Sequence, residues 1–411
     1  MEKKYFPIQT DTACQLKWAW STLYLYSGST ASCHRTGWSS VTPDSFDSFH
    51  NTDKKISDRN DMLAGVWPKD SCQYCKDIES SGGVSDRMFH NSIPGLSPSE
   101  LDTNLKATAV TPTILEVYFN NTCNLSCVYC LPALSSKINH ENKKFGLFDS
   151  NGVTLKSVDL SPDYPEILEK FWQWFSVHSV DLKRFQVLGG EPFYQPEFDK
   201  CIEYFESTSH PDLEWAIVTN LMIPLSKLET YVDRFKKLLI GKKLKRIEIT
   251  CSIDCWGPEQ EFARWGMNLS QWENNFEYLL KQKWLTVNIN QTISLLTIKT
   301  MPVLLAKLNH WREQRPVGHF FSVVTPQPTY LHPNILGPDI FKNDFDEILN
   351  LMPNNINYTY MEGIANDYAK SSADQTEIVK LKTYLDEIDR RRNTVWKNTF
   401  PWLSQELEHV V

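Results

Sequence analysis

The chain has 411 residues, 41% of them hydrophobic, with 14 Trp, 16 Tyr and 21 Phe, which calls for about two domains with sizeable packed cores. A net charge of −8 and a pI near 5.7 exclude the broad basic field that a long nucleic acid requires. No run approaches the roughly 20 apolar residues of a membrane span, and the start, MEKKYFPIQTDTAC, lacks the apolar stretch of a signal peptide. Ten cysteines in such a chain point to metal or catalysis in a reducing, cytoplasmic compartment rather than to disulfides.

Residues 1–105 form the first expected module, with four thiols: Cys14, Cys33, Cys72 and Cys75. Cys14 leads into QLKWAWSTLYLYSG, an aromatic-rich strand pattern ending at Gly28. Four cysteines complete the ligand set of a structural zinc or of a four-iron cluster, and the residues alone leave both open. His34, beside Cys33, reads as a surface residue. Residues 36–68 are polar and turn-rich without an apolar period, so they read as irregular structure wrapped around a metal. Residues 80–100 read as a linker. The spacing Cys14-x13-Gly28-x4-Cys33 resembles the half-motif of SPASM/twitch auxiliary-cluster domains, a β-hairpin that carries two cluster ligands and has the glycine in its turn. The resemblance implies an auxiliary [4Fe–4S] cluster completed by Cys72 and Cys75. In most relatives that hairpin follows the main barrel; here it comes first.

The second expected module, 106–335, opens with ILEVYFNNTCNLSCVYCLP (114–132). Leu115, Val117 and Phe119 alternate with Glu116 and Tyr118, a strand that ends in Asn-Asn-Thr and delivers Cys123, Cys127 and Cys130 at its C-terminal tip. Three thiolates can hold three irons of a [4Fe–4S] cube and leave the fourth open to a small molecule, whereas a structural zinc site closes with four ligands. This C-x3-C-x2-C loop, with Tyr129 before its last cysteine, resembles that of the radical S-adenosylmethionine (radical SAM) enzymes. The resemblance implies that the open iron chelates S-adenosylmethionine. One electron then cleaves the cofactor to methionine and a 5′-deoxyadenosyl radical, which takes hydrogen from a substrate.

After the triple, residues 134–162 are polar and long for a loop, a candidate substrate lid. Helix and strand patterns then alternate: helices at 164–180, 196–207, 225–239, 267–282 and 300–314, strands at 182–190, 214–220, 245–254, 284–294 and 318–325. With the strand before the triple this makes six β/α repeats, hence an α/β fold with a parallel sheet; the resemblance implies a partial (β/α)6 barrel of TIM type.

Several strand ends carry polar groups. Gly189, Gly190, Glu191 and Pro192 match the family's GGE motif, which implies a role in binding the amino group of S-adenosylmethionine. Asn220 ends the third strand, where relatives carry a Thr-Asn pair near the cofactor. Ser252 and Asp254 end the fourth, with Arg264 ten residues on. The resemblance puts Ser252 on the ribose and Arg264 on the methionyl carboxylate. Cys255 replaces the usual glycine. It reads as a small buried hydrophobe, as do Cys201 and Cys251, or, as in some radical SAM peptide epimerases, as a thiol that returns a hydrogen atom. Asn288 and Asn290 alternate with Val287 and Ile289 and so share the face opposite those residues, with Gln291 on the other side.

Residues 336–411 form a C-terminal helical extension, in which Ile378, Leu381, Tyr384, Leu385 and Ile388 make a packing face. The chain is therefore expected to be a radical SAM oxidoreductase or modifying enzyme. It would use S-adenosylmethionine, two [4Fe–4S] clusters and a flavodoxin- or ferredoxin-type electron donor. By analogy with relatives that carry auxiliary clusters, its substrate is a peptide or protein residue. A nucleoside or small metabolite is the alternative substrate, and a zinc-stabilised binding protein without radical chemistry is the alternative class.

Overall fold

The computed structural model of the chain describes residues 10–33, 35–80, 82–93, 109–147, 149–150, 153–154, 159–324 and 328–408. His34 and the end of the expected linker, 94–100, lie outside the described residues. In chain order a one-turn helix α1 (Leu16–Ala19) leads into strands β1 (Trp20–Tyr24), β2 (Ser29–Ala31) and β3 (Ser39–Ser40). Helices α2 (Asp53–Leu63), α3 (Gln73–Ser80) and α4 (Asp86–Asn91) follow, then β4 (Ile114–Tyr118). The next stretch holds β5 (Ser126–Cys127), α5 (Ser136–Phe145) and the small hairpin β6 (Asp149–Ser150) and β7 (Val153–Thr154).

The alternating region runs α6 (Tyr164–His178), β8 (Arg184–Leu188), α7 (Pro196–Ser207), β9 (His210–Thr219), α8 (Leu225–Ile240) and β10 (Leu244–Ser252). It continues through α9 (Pro258–Ala263), β11 (Arg264–Trp265), α10 (Leu269–Lys281), β12 (Thr286–Ile293), α11 (Met301–Gln314) and β13 (Gly318–Val323). The tail is helical, with α12 (Lys342–Leu351), α13 (Ile356–Ala369) and α14 (Gln375–Arg392) ahead of two short helices. The six strands expected from the alternation are present as β4, β8, β9, β10, β12 and β13. The fold is mixed α/β with largely parallel strands. Among the described residues no helix is long and apolar enough to cross a membrane.

The chain divides into two compact, discontinuous units, which do not coincide with the expected three-part division at 105 and 335. Unit 1 comprises residues 1–120, 160–217 and 234–247. Its strands run in the order β9-β8-β4-β1-β2-β3, parallel from β9 to β1 and antiparallel beyond. The two faces of this sheet differ. Leu115, Val117, Phe185, Val187, Trp215 and Ile217 are fully buried on one of them. There Phe175 of α6 meets Phe185 at 4.7 Å between ring centres, and Phe205 of α7 meets Trp215 at 5.1 Å. The other face has a polar centre between Trp20 and Ile114 at one end and Tyr24 and Tyr118 at the other. Thr22, Glu116 and Gln186 stand in register across β1, β4 and β8, and the Glu116 carboxylate accepts from Thr22 Oγ1 at 2.9 Å and Gln186 Nε2 at 3.0 Å.

Unit 2 comprises residues 121–159, 218–233 and 248–411. Its strands β10, β12 and β13 are parallel. Helices α10 and α11 of this unit meet through buried Phe276 and Trp311, at 4.7 Å between ring centres, with Trp272 stacked on Phe276.

The N-terminal hairpin extends the sheet, since β1 pairs along its whole length with β4. Three expectations need correction. Residues 53–63, expected to be irregular, form α2, capped by Thr52 Oγ1 accepting from Lys55 N. The helix escaped the reading because its buried stripe is Lys55, Asp58, Arg59 and Met62, helically spaced but mostly charged. In the same region Cys14, Leu16, Trp18, Trp20, Met62, Val110 and Ile114 form a hydrophobic core. Finally, the expected linker contains α4, and the insertion after the triple contains α5 rather than loop alone.

Candidate functional site

Strand β4 ends at Tyr118, and the chain then makes the loop that carries the three cysteines. Within unit 2 this loop is fixed from several sides. Cys123 N donates to Ser136 Oγ (3.0 Å) and Ser135 Oγ to Leu125 O (2.8 Å), both hydroxyls coming from the start of α5. Asn220 Nδ2 donates to Asn124 Oδ1 (2.8 Å) and approaches Cys123 Sγ at 3.9 Å, so the structure brings Asn220 to the triple. The Tyr384 hydroxyl of α14 donates to Val128 O, and Cys130 N closes a turn on Cys127 O at 3.0 Å. Strand β5 pairs antiparallel with β11, which sets Arg264 directly opposite Cys127.

Arg264, Asp254 and Tyr129 make one buried network. Arg264 Nε and Nη2 donate to Asp254 Oδ2 and Oδ1 at 2.8 and 2.9 Å, and the Tyr129 hydroxyl donates to Oδ2 at 2.6 Å. Asp254 is fully buried; Thr292 N also donates to its Oδ1, and Gln260 Oε1 accepts from the amides of both Asp254 and Cys255. Two of the nitrogens expected to meet a cofactor carboxylate are therefore engaged by a carboxylate of the chain itself. Burial works against the Arg264 charge, but Asp254, Tyr129 and Cys127 hold its pKa well above the usual value. The thiols feel one another: burial, then Cys127 and Cys123, push Cys130 up. Burial also raises Cys127, against the pull of Arg264. Such a donor set is poor as free thiolates and suits a cation-containing centre.

The remaining expected residues fall as follows. Asn288 and Asn290 share one face of β12 with Thr250 and Ser252 across the register, and Asn288 Nδ2 donates to Thr250 Oγ1 at 3.3 Å. A Cβ at Gly318 would lie 2.2 Å from Asn288 Oδ1, so the glycine makes room for that amide. Gln291 lies on the opposite face, fully buried, where its amide donates to Asp254 O and its Oε1 accepts from His319 Nε2. Cys255 is fully buried beside Thr300, and Cys201 and Cys251 are fully buried as well.

In unit 1, Gly189 and Gly190 both have positive φ (+86° and +57°), and a Cβ on Gly189 would fall 2.1 Å from the Tyr118 ring. Glu191 is fully buried and its carboxylate accepts from Phe193 N at 3.3 Å, capping the turn that begins at Pro192.

A second thiol site lies wholly within unit 1. Cys14, Cys33, Cys72 and Cys75 all line one cavity, together with Lys17, Arg35 and Arg87. Cys14 and Cys33 stand either side of the β1–β2 hairpin, whose turn residue Gly28 has φ +61°. Burial, Lys17 and Cys33 act on Cys72, with the net effect of raising it to about 12, and burial is the main cause that raises Cys75 to about 11. Among the described residues no three His, Cys, Asp or Glu side chains converge on a single ion position. The thiols border a space instead.

Sequence reasoning missed Gln260, Ser136, Tyr384 and Lys17. Each acts through a hydrogen bond or charge placed by tertiary structure, and none belongs to a local motif.

No family model and no curated protein matches the chain. Among solved structures it is similar to polyhistidine-tagged anSMEcpe with bound AdoMet, at 18% identity and a TM-score of 0.35, over 64% of this chain and 61% of that one. It is also similar to Streptococcus suis SuiB bound to S-adenosylmethionine, at 13% identity and a TM-score of 0.38, over 90% of this chain and 68% of that one. A second SuiB structure matches at 14% and 0.34, over 77% and 73%. The chain thus spans about three fifths of the length of anSMEcpe. At these identities and TM-scores the functional reading rests on the geometry of the chain itself.

Proposed function

We propose that the chain is a radical SAM enzyme with two iron–sulfur sites. The observation that carries this reading is a strand-tip loop in which three thiols, at C-x3-C-x2-C spacing, lie beside a buried Tyr129–Asp254–Arg264 network, with Arg264 directly opposite Cys127. Cys123, Cys127 and Cys130 would hold a [4Fe–4S] cluster, which with S-adenosylmethionine would supply radical hydrogen-abstraction chemistry. The chain's own groups hold and orient. Ser136 and Asn220 fix the Cys123 end of the loop, and Tyr384 fixes its middle. Arg264 serves as a positioning residue beside Cys127. The GGEP turn, Ser252, Asn288 and Asn290 are the polar groups proposed for the cofactor and substrate, and the six parallel strands are read as a partial (β/α)6 barrel.

Cys14, Cys33, Cys72 and Cys75 are proposed to hold an auxiliary cluster in a twitch-like hairpin setting. Four thiols around one cavity complete the protein ligand set of a four-iron cluster, and a zinc ion is the alternative occupant. Such a chain takes electrons from a flavodoxin or ferredoxin and acts on a peptide or protein residue, with Cys255 as a hydrogen donor if the outcome is epimerisation.

The test is anaerobic purification with iron and sulfide analysis, beside a Cys123→Ala/Cys127→Ala/Cys130→Ala variant, followed by dithionite, S-adenosylmethionine and an assay for 5′-deoxyadenosine. About eight irons falling to about four, with 5′-deoxyadenosine from the unaltered protein alone, is the expected result. Zinc without iron and no cofactor cleavage would point to a binding protein instead.

A further inference from the structure

Behind the four-thiol cavity lies an unusual concentration of buried charge. Lys17, Lys55 and Arg59 are 2%, 2% and 0% exposed, with Asp58 at 4%. Asp58 is matched to Lys17 through an ion pair, and the two arginines that line the cavity have their own carboxylates, Arg35 with Asp86 and Arg87 with Glu79. Lys55 and Arg59 are different. Lys55 Nζ donates to two hydroxyls, Ser21 Oγ and Thr30 Oγ1, both at 2.8 Å. Arg59 donates to His50 O, Asn51 Oδ1 and Lys17 O, and its Nε has no acceptor. Among the described residues neither has a carboxylate within ion-pair distance.

Burial disfavours a cation that lacks a counter-ion, and α2 places two basic groups on the stripe where a helix ordinarily places apolar residues. Burial, with Arg59 and Lys17 nearby, holds the Lys55 pKa well below its usual value in the chain by itself, so its ammonium form calls for an added anion. A four-thiolate metal group carries net negative charge; Lys17 borders its cavity, Arg59 donates to Lys17 O, and Lys55 donates to Thr30 on the strand that leads to Cys33. Charge near such a group is one of the determinants of its reduction potential.

We propose that Lys55 and Arg59, with Lys17 at the cavity wall, are the built-in counter-charge for an anionic metal–thiolate group on Cys14, Cys33, Cys72 and Cys75, and that they raise its reduction potential. This rests on the auxiliary-cluster reading above. Lys55 carries the test, because its partners are hydroxyls and its removal leaves no carboxylate stranded.

The experiment uses the full chain carrying Cys123→Ala/Cys127→Ala/Cys130→Ala, so that only the N-terminal site can hold iron. Iron and sulfide are quantified, and the midpoint potential is read by mediated titration with electron paramagnetic resonance. Lys55→Met is expected to retain about four irons and to shift the midpoint to a more negative value. Lys17→Met/Asp58→Asn, which removes a matched pair, is expected to shift it less and serves where Lys55→Met does not fold. Lys143→Met, on an exposed side chain of unit 2, is expected to leave it unchanged. A folded Lys55→Met that loses its iron also supports the proposal, provided Lys55→Arg recovers it. An unchanged midpoint in Lys55→Met with iron retained overturns the proposal and leaves the cluster reading intact. Zinc in place of iron in the parent overturns the cluster reading, and the proposal with it.

Discussion

The two cysteine sites solve the same problem, holding several thiols close together, by different means. The three-cysteine loop of unit 2 is fixed mainly by neutral hydrogen bonds from Ser135, Ser136, Asn220 and Tyr384, and its buried cations have carboxylates, Arg264 with Asp254 and Arg392 with Glu141. The four-cysteine cavity of unit 1 is walled by charge, and two of its supporting cations have no carboxylate. The first is complete as protein, with its geometry held by the chain's own hydrogen bonds. The second is electrostatically lopsided as protein alone, and its balance depends on what the thiols bind.

This contrast can be broken first by removing one cation from each site. Arg264→Met leaves Asp254 fully buried without its cation, and unfolding in urea should show a loss of about 3–5 kcal/mol. Lys17→Met leaves Asp58 with a second lysine, Lys54, at 3.8 Å and with Ser71 Oγ at 3.1 Å, so a smaller loss of about 1–3 kcal/mol is expected. Equal losses would mean that Lys54 offers no compensation and that the two sites are alike.

Unit 2 also carries a pH dependence that can be isolated. Burial, with Arg312 nearby, lowers the His319 pKa to about 3, and its Nε2 donates to Gln291 while Nδ1 has no partner. The folded state therefore keeps His319 neutral while the unfolded chain takes up a proton below about 6.5. Stability is complete above that pH and is lost as pH falls from about 6.5 towards about 3. Acid unfolding of His319→Gln beside the unaltered chain should show a shallower decline across that window. Parallel curves would mean that His319 is charged in the fold.

The smallest effect sharpens the comparison in unit 1. Thr52→Ala removes the cap of α2, the helix that carries Lys55, Asp58 and Arg59, and should cost about 1 kcal/mol. Hydrogen exchange should localise the loss to α2, with Cys123–Cys130 amides unaffected.

Much of the parallel sheet was legible because its strands and helices announce themselves locally. Phe185 and Val187 alternate with half-buried residues along β8, and Ile378, Leu381, Tyr384, Leu385 and Ile388 repeat at helical spacing along α14. The cysteine spacings were equally local, since loop ligands must lie within a few residues of one another. Helix α2 was not legible, because the residues it buries are charged and a period of Lys, Asp and Arg reads from sequence as a solvated face. Nor could the sequence tell that β1 would pair with β4 across some ninety residues, since backbone pairing at that separation leaves no local mark. The partner of Arg264 likewise belongs to the tertiary level. Ten residues from Asp254, it could have faced a ligand; the β5–β11 ladder turns it onto the carboxylate instead. What sequence determined here was the identity and spacing of the donors. What the fold decided was which charges are buried beside them, because burial and pairing depend on elements that meet only in three dimensions.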